Sequence, residues 1–150
     1  MVQLTNNGGA AATVNLYPLE ITWTSKKDLV KIPRYISEAN RDTYTSETVI
    51  FDTKRQLERF KIMGTIDTGS PAAYTDVNAL RNVCKSGYLI WFTWDELKML
   101  STETAKDGTD FIKPGSALCT SEDWIISKNG NMGSYKWDYT IDLLIGKERT

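Results

Sequence analysis

Residues 59–94 read RFKIMGTIDTGSPAAYTDVNALRNVCKSGYLIWFTW, and they predict a strand, a helix and a second strand in that order. In 59–67 apolar residues alternate with polar ones, which is typical of a strand with one face toward a core. Ser70 followed by Pro71 predicts the start of the helix, and Gly87 predicts its C-terminal cap. Four residues between them recur at the spacing of one helix face: Ala73, Val77, Leu80 and Cys84.

The second strand, 88–94, is apolar on both of its faces. One face would carry Tyr88, Ile90, Phe92 and Trp94, and the other face would carry Leu89 and Trp91. A strand of a half-buried sheet has one polar face, so the second face of this strand requires a cover. Two covers are consistent with the sequence, namely the helix at about 71–86 or a neighbouring subunit.

The first part of the chain shows less regular patterns. Residues 1–13 are small and polar and predict a flexible N-terminal arm. Residues 25–47 form a polar segment that is unusually long for a loop in a small domain, so they predict a long polar loop or a hairpin that contacts a partner. A short strand at 49–51 and a turn at 52–55 are expected to follow.

The last part of the chain predicts two antiparallel strands, 118–127 and 134–146. Asn129-Gly130 lies between them and prefers the positive backbone angles of a tight hairpin turn. Together with the first half, these strands predict one domain, 1–150, of the α+β class. Its mainly antiparallel sheet would form a β-barrel or sandwich with one flanking α-helix at about residues 71–86.

The overall composition excludes several classes of protein. The net charge is −1, from 18 basic and 19 acidic residues, which argues against a protein that works mainly by neutralising nucleic-acid phosphates. The chain begins without a basic region followed by an apolar core, and no apolar run approaches the length of a membrane span, so no membrane partner is expected. Cys84 and Cys119 are predicted to be reduced, buried thiols.

Residue patterns that support catalysis or metal binding are weak. The chain has no histidine, which removes the commonest general base and the commonest metal ligand. The tripeptide at 67–69 resembles the Asp-Thr-Gly of aspartic proteases, but it supplies one carboxylate and leads directly into a helix start. The acidic loop 107–110 lacks the remaining ligands of a calcium loop, and two isolated cysteines cannot complete a zinc site. We therefore expect no enzyme, no cofactor and no metal site.

Basic and aromatic residues alternate in the polar segment 25–47. Such residues stack on single-stranded bases, but Glu38, Asp42 and Glu47 lie among them and favour a protein–protein contact instead. We predict that this segment and the second face of strand 88–94 form subunit interfaces. The predicted interface residues are Leu29, Val30, Ile32, Arg34, Tyr35, Ile36, Arg41, Tyr44, Leu89 and Trp91.

The order of elements over about 48–149 resembles the tail-tube-type proteins of long-tailed viruses of bacteria and archaea. This family includes tube, distal-tail, hub and tail-completion subunits. The resemblance lies in the pattern of elements and is carried by five stretches: FKIMGTID, AAYTDVNALRNVCKSG, YLIWFTW, SALCTSEDWIISKNG and SYKWDYTIDLLIGKER.

The resemblance implies a non-enzymatic virion structural protein that assembles in the host cytoplasm. Its partners would be further copies of itself, in stacked and hexameric rings, and other tail proteins, and DNA would pass only transiently through the lumen. Residues 26–47 would then contact the next ring. The polar face of the last strand would line the lumen, with Lys136, Asp138, Thr140 and Asp142.

A second function remains open at this point. A β-barrel of this size could instead bind a small apolar ligand, because aromatic side chains commonly line such cavities. The candidate lining residues are Trp91, Trp94, Trp137 and Tyr139. A binding module of that kind would stay monomeric, whereas a tube subunit would associate as its concentration rises.

Overall fold

The computed structural model describes residues 1–6, 8, 12–36, 45–85, 87–130 and 135–146, and for 28, 30–36, 45–56 and 129 it describes the backbone alone. Its helices are α1, Ala72–Lys85, and a short 3₁₀-helix, Asp95–Met99. Its strands are β1 Val2–Asn6, β2 Thr13–Leu16, β3 Pro18–Ile36, β4 Thr45–Asp67, β5 Ile90–Trp94, β6 Glu103–Thr104, β7 Asp110–Lys113, β8 Ser116–Asn129 and β9 Lys136–Ile145.

The nine strands belong to one sheet, in the main order β2-β1-β5-β8-β9-β4-β3, and β7 pairs with both β6 and β8. Every strand pair whose register is described is antiparallel. The prediction of an α+β protein with a mainly antiparallel sheet and one α-helix is therefore confirmed.

The helix and the hairpin at the end of the chain follow the local signals in the sequence. The amide of Ala72 donates a hydrogen bond to Ser70 Oγ at 3.3 Å, so Ser70 caps α1, and Gly87 has a φ of 69° just beyond its end. Gly130 likewise has a positive φ, 88°, directly after the end of β8, and residues 131–134 beyond it lie outside the described part of the chain. The predicted helix of about 71–86 is confirmed to within one residue at each end.

The predicted flexible arm is wrong for Val2–Asn6, because these residues form β1 inside the sheet. Val2 lies opposite Leu16 of β2 and Trp94 of β5, and Val2 and Leu4 are both buried. The five residues VQLTN do alternate, but the run is short. One of its two partners, β2, is close in sequence, whereas the other, β5, lies far along the chain and leaves no local signal.

The core lies on one face of the sheet, where α1 covers it. Helix α1 contributes Ala73, Leu80, Val83 and Cys84, and it packs against β1, β2, β8 and β9. The strands contribute alternate residues to the same cluster. These are Val2, Leu4, Val14, Leu16, Phe60, Ile62, Ile66, Ile90, Phe92, Ile112, Ala117, Cys119, Tyr139, Ile141 and Leu143, together with Leu97 of the 3₁₀-helix.

The chain divides into two compact units, Ser25–Glu58 and the remainder. The described backbone of the smaller unit is strand, from β3 and β4, which are neighbours in the sheet, and residues 37–44 between them lie outside the described part of the chain. The turn predicted at 52–55 is wrong, since β4 is continuous through it. Residues 52–56 are polar throughout, so they lack the alternation that marks a half-buried strand.

The two edges of the sheet are linked by a single residue. β2 and β3 are the end strands of the main order, and only Tyr17 separates them along the chain. A Cβ built on Gly64 of β4 would lie 3.0 Å from Pro18 Cα, so the start of β3 packs closely against β4. Within the described strands the sheet is not closed by pairing between β2 and β3.

Candidate functional site

The polar residues predicted for the last strand share one surface. β9 lies between β8 and β4, and its residues Tyr139, Ile141 and Leu143 enter the core, so the alternating residues lie on the opposite face. We call this face of β4, β8 and β9 the outer face. It carries all four predicted lumen residues: Lys136, Asp138, Thr140 and Asp142.

At one end of the outer face, the charges are paired within the subunit. Thr65 Oγ1 donates a hydrogen bond of 2.7 Å to Asp138 Oδ1 across the β4–β9 ladder. Lys136 Nζ lies 3.9 Å from Asp67 Oδ2 on the same ladder. Through these contacts, the charged side chains of Asp138 and Lys136 each have a partner on β4.

At the other end of the outer face, β8 has a β-bulge at two acidic residues, Glu122 and Asp123. The register shifts between Ser121 and Asp123, which leaves Glu122 as the extra residue. Arg59 holds Glu122 by a forked pair, with Nε at 2.8 Å and Nη2 at 3.0 Å from the two carboxylate oxygens. Asp123 lies directly opposite Asp142, and neither carboxylate forms an ion pair with any of the described residues.

An apolar strip lies between these two ends. Met63 and Ile125 lie on either side of Thr140 in the ladder, and they are 38% and 58% exposed. Apolar side chains on an exposed sheet face are common one at a time, and two together form a small patch.

The predicted interface residues lie in three places. Leu29, 38% exposed, lies in β3, and so do the backbones of Val30, Ile32, Arg34, Tyr35 and Ile36. Arg41 and Tyr44 lie outside the described residues. Leu89 and Trp91 belong to the larger unit, where both are partly exposed.

The second face of β5 is not covered by the helix. α1 belongs to the core cluster with Ile90 and Phe92, whereas Trp91 lies on the other side of β5. Trp91 lies opposite Leu118, which is 1% exposed, and Lys113 Nζ lies 5.0 Å from the centre of the indole ring. A lysine side chain therefore covers part of this face and leaves the tryptophan partly open to water.

The residues predicted to line a ligand cavity do not converge. Trp94 lines an open cleft of about 270 Å³ next to the start of β3. Trp91 lies on the opposite face of β5, Tyr139 is buried in the core, and Trp137 contacts Tyr74 of α1. The cleft is also lined by Met1, Val2, Pro18, Leu19, Glu20 and Ile21.

An aromatic cluster with a lysine lies where β8, β9 and α1 meet. Tyr74 contacts Tyr135 and Trp137 edge to face, with ring centres 5.9 and 6.5 Å apart. Lys128 Nζ lies 5.1 Å from the Trp137 ring centre and 6.0 Å from that of Tyr74. This cluster was not predicted from the sequence, although the β8–β9 ladder places Lys128 directly opposite Trp137.

The cysteines show no sign of an activated nucleophile. Burial raises the pKa of the Cys84 thiol to about 11. Burial also raises the pKa of Cys119. Both thiols are therefore protonated near neutral pH, where a thiolate would be needed for attack or metal ligation. Among the described residues, no group of three or more histidine, cysteine, aspartate or glutamate side chains could hold a metal ion.

Comparison with known proteins adds no relative. No protein-family model matches the chain, and no curated protein matches it. None of the described helices combines the length and the apolar character needed to cross a membrane.

Proposed function

We propose that this chain is a structural subunit of a viral tail, of the tube type, that assembles into rings which stack around a channel for DNA. The observation that carries the proposal is the hairpin of β3 and β4. These strands have 19 and 23 residues, whereas strands in globular proteins usually have 3–10. At about 3.3 Å per residue, β3 alone can span roughly 60 Å.

A hairpin of this kind needs support from another surface. Two-stranded hairpins are marginally stable in water, and they become stable when more strands or a packed face are added. Residues 25–58 form a unit of their own, and the side chains described there, at 25–27, 29, 57 and 58, are exposed or partly exposed. A neighbouring subunit or ring would supply the missing surface, as would other tail proteins.

The larger unit suits the barrel that the tail-tube resemblance implies. β2 and β3 follow each other across Tyr17, and one pairs with β1 while the other pairs with β4. We propose that they act as one bent strand shared by the two edges, which closes the barrel. Proline is tolerated at such an edge position, and Pro18 lies at the bend.

The outer face offers a surface suited to a water-filled channel. At the end formed by Lys136, Asp138 and Thr140, acidic and basic groups alternate and are held by neighbours on β4. Fixed charges of mixed sign neither concentrate nor strongly repel a passing polyanion. We propose that this end lines the lumen.

The test is the mass of the purified chain over a wide range of concentrations, with negative-stain images of the most concentrated sample. Rings or tubes with a central hole are expected. Leu29→Asp, in the hairpin, should abolish them, whereas Met99→Asp, at a site 72% exposed in the larger unit, should leave them intact. A folded protein that stays monomeric at every concentration would contradict the proposed function.

A further inference from the structure

We propose that Tyr74, Tyr135 and Trp137 form a binding site for a cationic side chain of a partner protein, which Lys128 of the same chain fills in the isolated subunit. An arginine guanidinium fits this site best, because its flat face stacks on aromatic rings and it is weakly hydrated. The site lies outside the hairpin and the outer face, so it does not depend on the proposed function.

The ring of Tyr74 is nearly perpendicular to the rings of both Tyr135 and Trp137. The plane of Tyr74 lies at 75° to Tyr135 and 77° to Trp137, with the ring centres 5.9 and 6.5 Å apart. Edge-to-face contacts at these distances are favourable, so each ring holds the next in place. The arrangement leaves faces of Tyr74 and Trp137 available to a cation.

Lys128 shows that the site accepts a cation. Its Nζ lies within about 6 Å of two ring centres, Trp137 and Tyr74, which is the range of cation–π attraction. Lys128 forms no ion pair with any described carboxylate, and the two rings are the contacts of its ammonium group that the structure describes. Most surface lysines instead point into water or meet a carboxylate.

The rings are held in place, whereas the lysine can leave. Trp137 lies directly opposite Lys128 in the β8–β9 ladder, and Tyr74 lies in the first turn of α1 behind the Ser70 cap. Such rings require little ordering when a ligand arrives. Lys128 is exposed and has a flexible stem, and Tyr74 is 49% exposed, so water and solutes reach the site.

Lys128 therefore acts as a competitor within the same chain. A group tethered this closely has an effective concentration of about millimolar or more, and an external cation must exceed it. Removing the lysine charge should strengthen binding of an external cation by about two- to fivefold, since that cation no longer has to displace the contact between Lys128 and the rings.

The test titrates the full chain with N-acetylarginine amide and with tetramethylammonium, and follows the Trp137 indole N–H in ¹H–¹⁵N spectra. Trp137→Phe assigns that signal. Lys128→Met keeps the apolar stem and is expected to bind both probes about two- to fivefold more tightly than the unmodified chain. Adding Tyr74→Ala to Lys128→Met should remove the gain.

Lys113 provides a matched control, because it lies over the ring of Trp91 on β5. Lys113 covers Trp91 in the same way, but a single ring contacts its ammonium. Lys113→Met should therefore produce no gain in affinity, as read from the Trp91 indole signal. The proposal is overturned if Lys128→Met binds no better than the unmodified chain, or no better than Lys113→Met. Lys128→Gln repeats the measurement with an uncharged polar group in place of the ammonium. Unchanged circular dichroism shows that each variant is folded.

Discussion

The hydroxyl of Tyr139 occupies the space that any side chain at Gly64 would need. The two residues lie directly opposite each other in the β4–β9 ladder, and Tyr139 is 2% exposed. A Cβ on residue 64 would lie 2.5 Å from Tyr139 Oη and 3.0 Å from Pro18 Cα. The glycine therefore lets a large aromatic side chain and the start of β3 approach β4 together.

Gly64→Ala is expected to destabilise the protein by about 1–3 kcal/mol, because a methyl group forced into a packed core displaces its neighbours. Denaturant unfolding measures the change. In a Tyr139→Phe background, the same substitution should cost less, since the closest atom has been removed. Equal costs in both backgrounds would show that the hydroxyl is not the main obstacle and would leave the ring carbon Cζ, 2.8 Å from the added Cβ, and Pro18 as the obstacles.

Tyr139→Phe by itself should leave stability unchanged or raise it slightly. The hydroxyl is buried and has no hydrogen-bond partner among the described residues. Removing an unsatisfied buried polar group costs little and can release about 1–3 kcal/mol of desolvation penalty. A marked loss of stability, measured by the same unfolding assay, would instead indicate a partner for the hydroxyl.

Alkaline pH is expected to weaken the fold. Burial raises the pKa of Tyr139 to about 12 and that of Cys84 to about 11, from ordinary values of 10.0 and 9.0. Above pH 9 the unfolded chain loses these protons first, so ionisation favours unfolding and the stability falls as pH rises. The free energy of unfolding should be level just below pH 9 and decline above it, and Cys84→Ala should reduce the decline. A rise in stability above pH 9 would contradict this account.

Parts of the fold could be predicted because their signals are local. The cap at Ser70 and the helix periodicity each act within a few residues, and both appear in the structure. The two closing strands also pair antiparallel as predicted, but Asn129 pairs with Lys136 inside the ladder and is not a central residue of a two-residue turn. β1 was missed because its run is only five residues long and its burial depends on pairing with β5, far along the chain, as well as with the nearby β2. The polar strand at 52–56 had no alternation to reveal it.

The candidate sites show the same division. Alternation in the last strand placed Lys136, Asp138, Thr140 and Asp142 on one face, because a strand imposes that period. The bulge at Glu122 could not be predicted, since it shifts the register by one residue without a distinct sequence signal. The contact of Tyr74 with Trp137 depends on how α1 packs on the sheet, which is a tertiary property.

Two adjacent acidic residues in the β8 bulge should respond in opposite directions. Asp123→Asn removes a charge directly opposite Asp142 and should stabilise the protein by about 0.2–1 kcal/mol. Glu122→Gln weakens the forked ion pair with Arg59. Because this pair is partly exposed, the substitution should destabilise the protein by about 0.2–1 kcal/mol. Thermal unfolding at low salt and at about 1 M salt measures both changes, and screening should reduce each. Shifts of the same sign would refute the assignment of partners.

β1 provides the sharpest test of the corrected N-terminus. Leu4 is fully buried and lies between Val14 of β2 and Phe92 of β5, whereas Gln3 lies on the other face and is partly exposed. Leu4→Ala should therefore destabilise the protein by about 2–5 kcal/mol through the cavity it leaves. Gln3→Ala, one residue away, removes an exposed hydrogen bond to Asn15. It should otherwise change the free energy of unfolding by less than about 0.5 kcal/mol. Denaturant unfolding compares them, and similar small effects at both positions would mean that the segment is an arm after all.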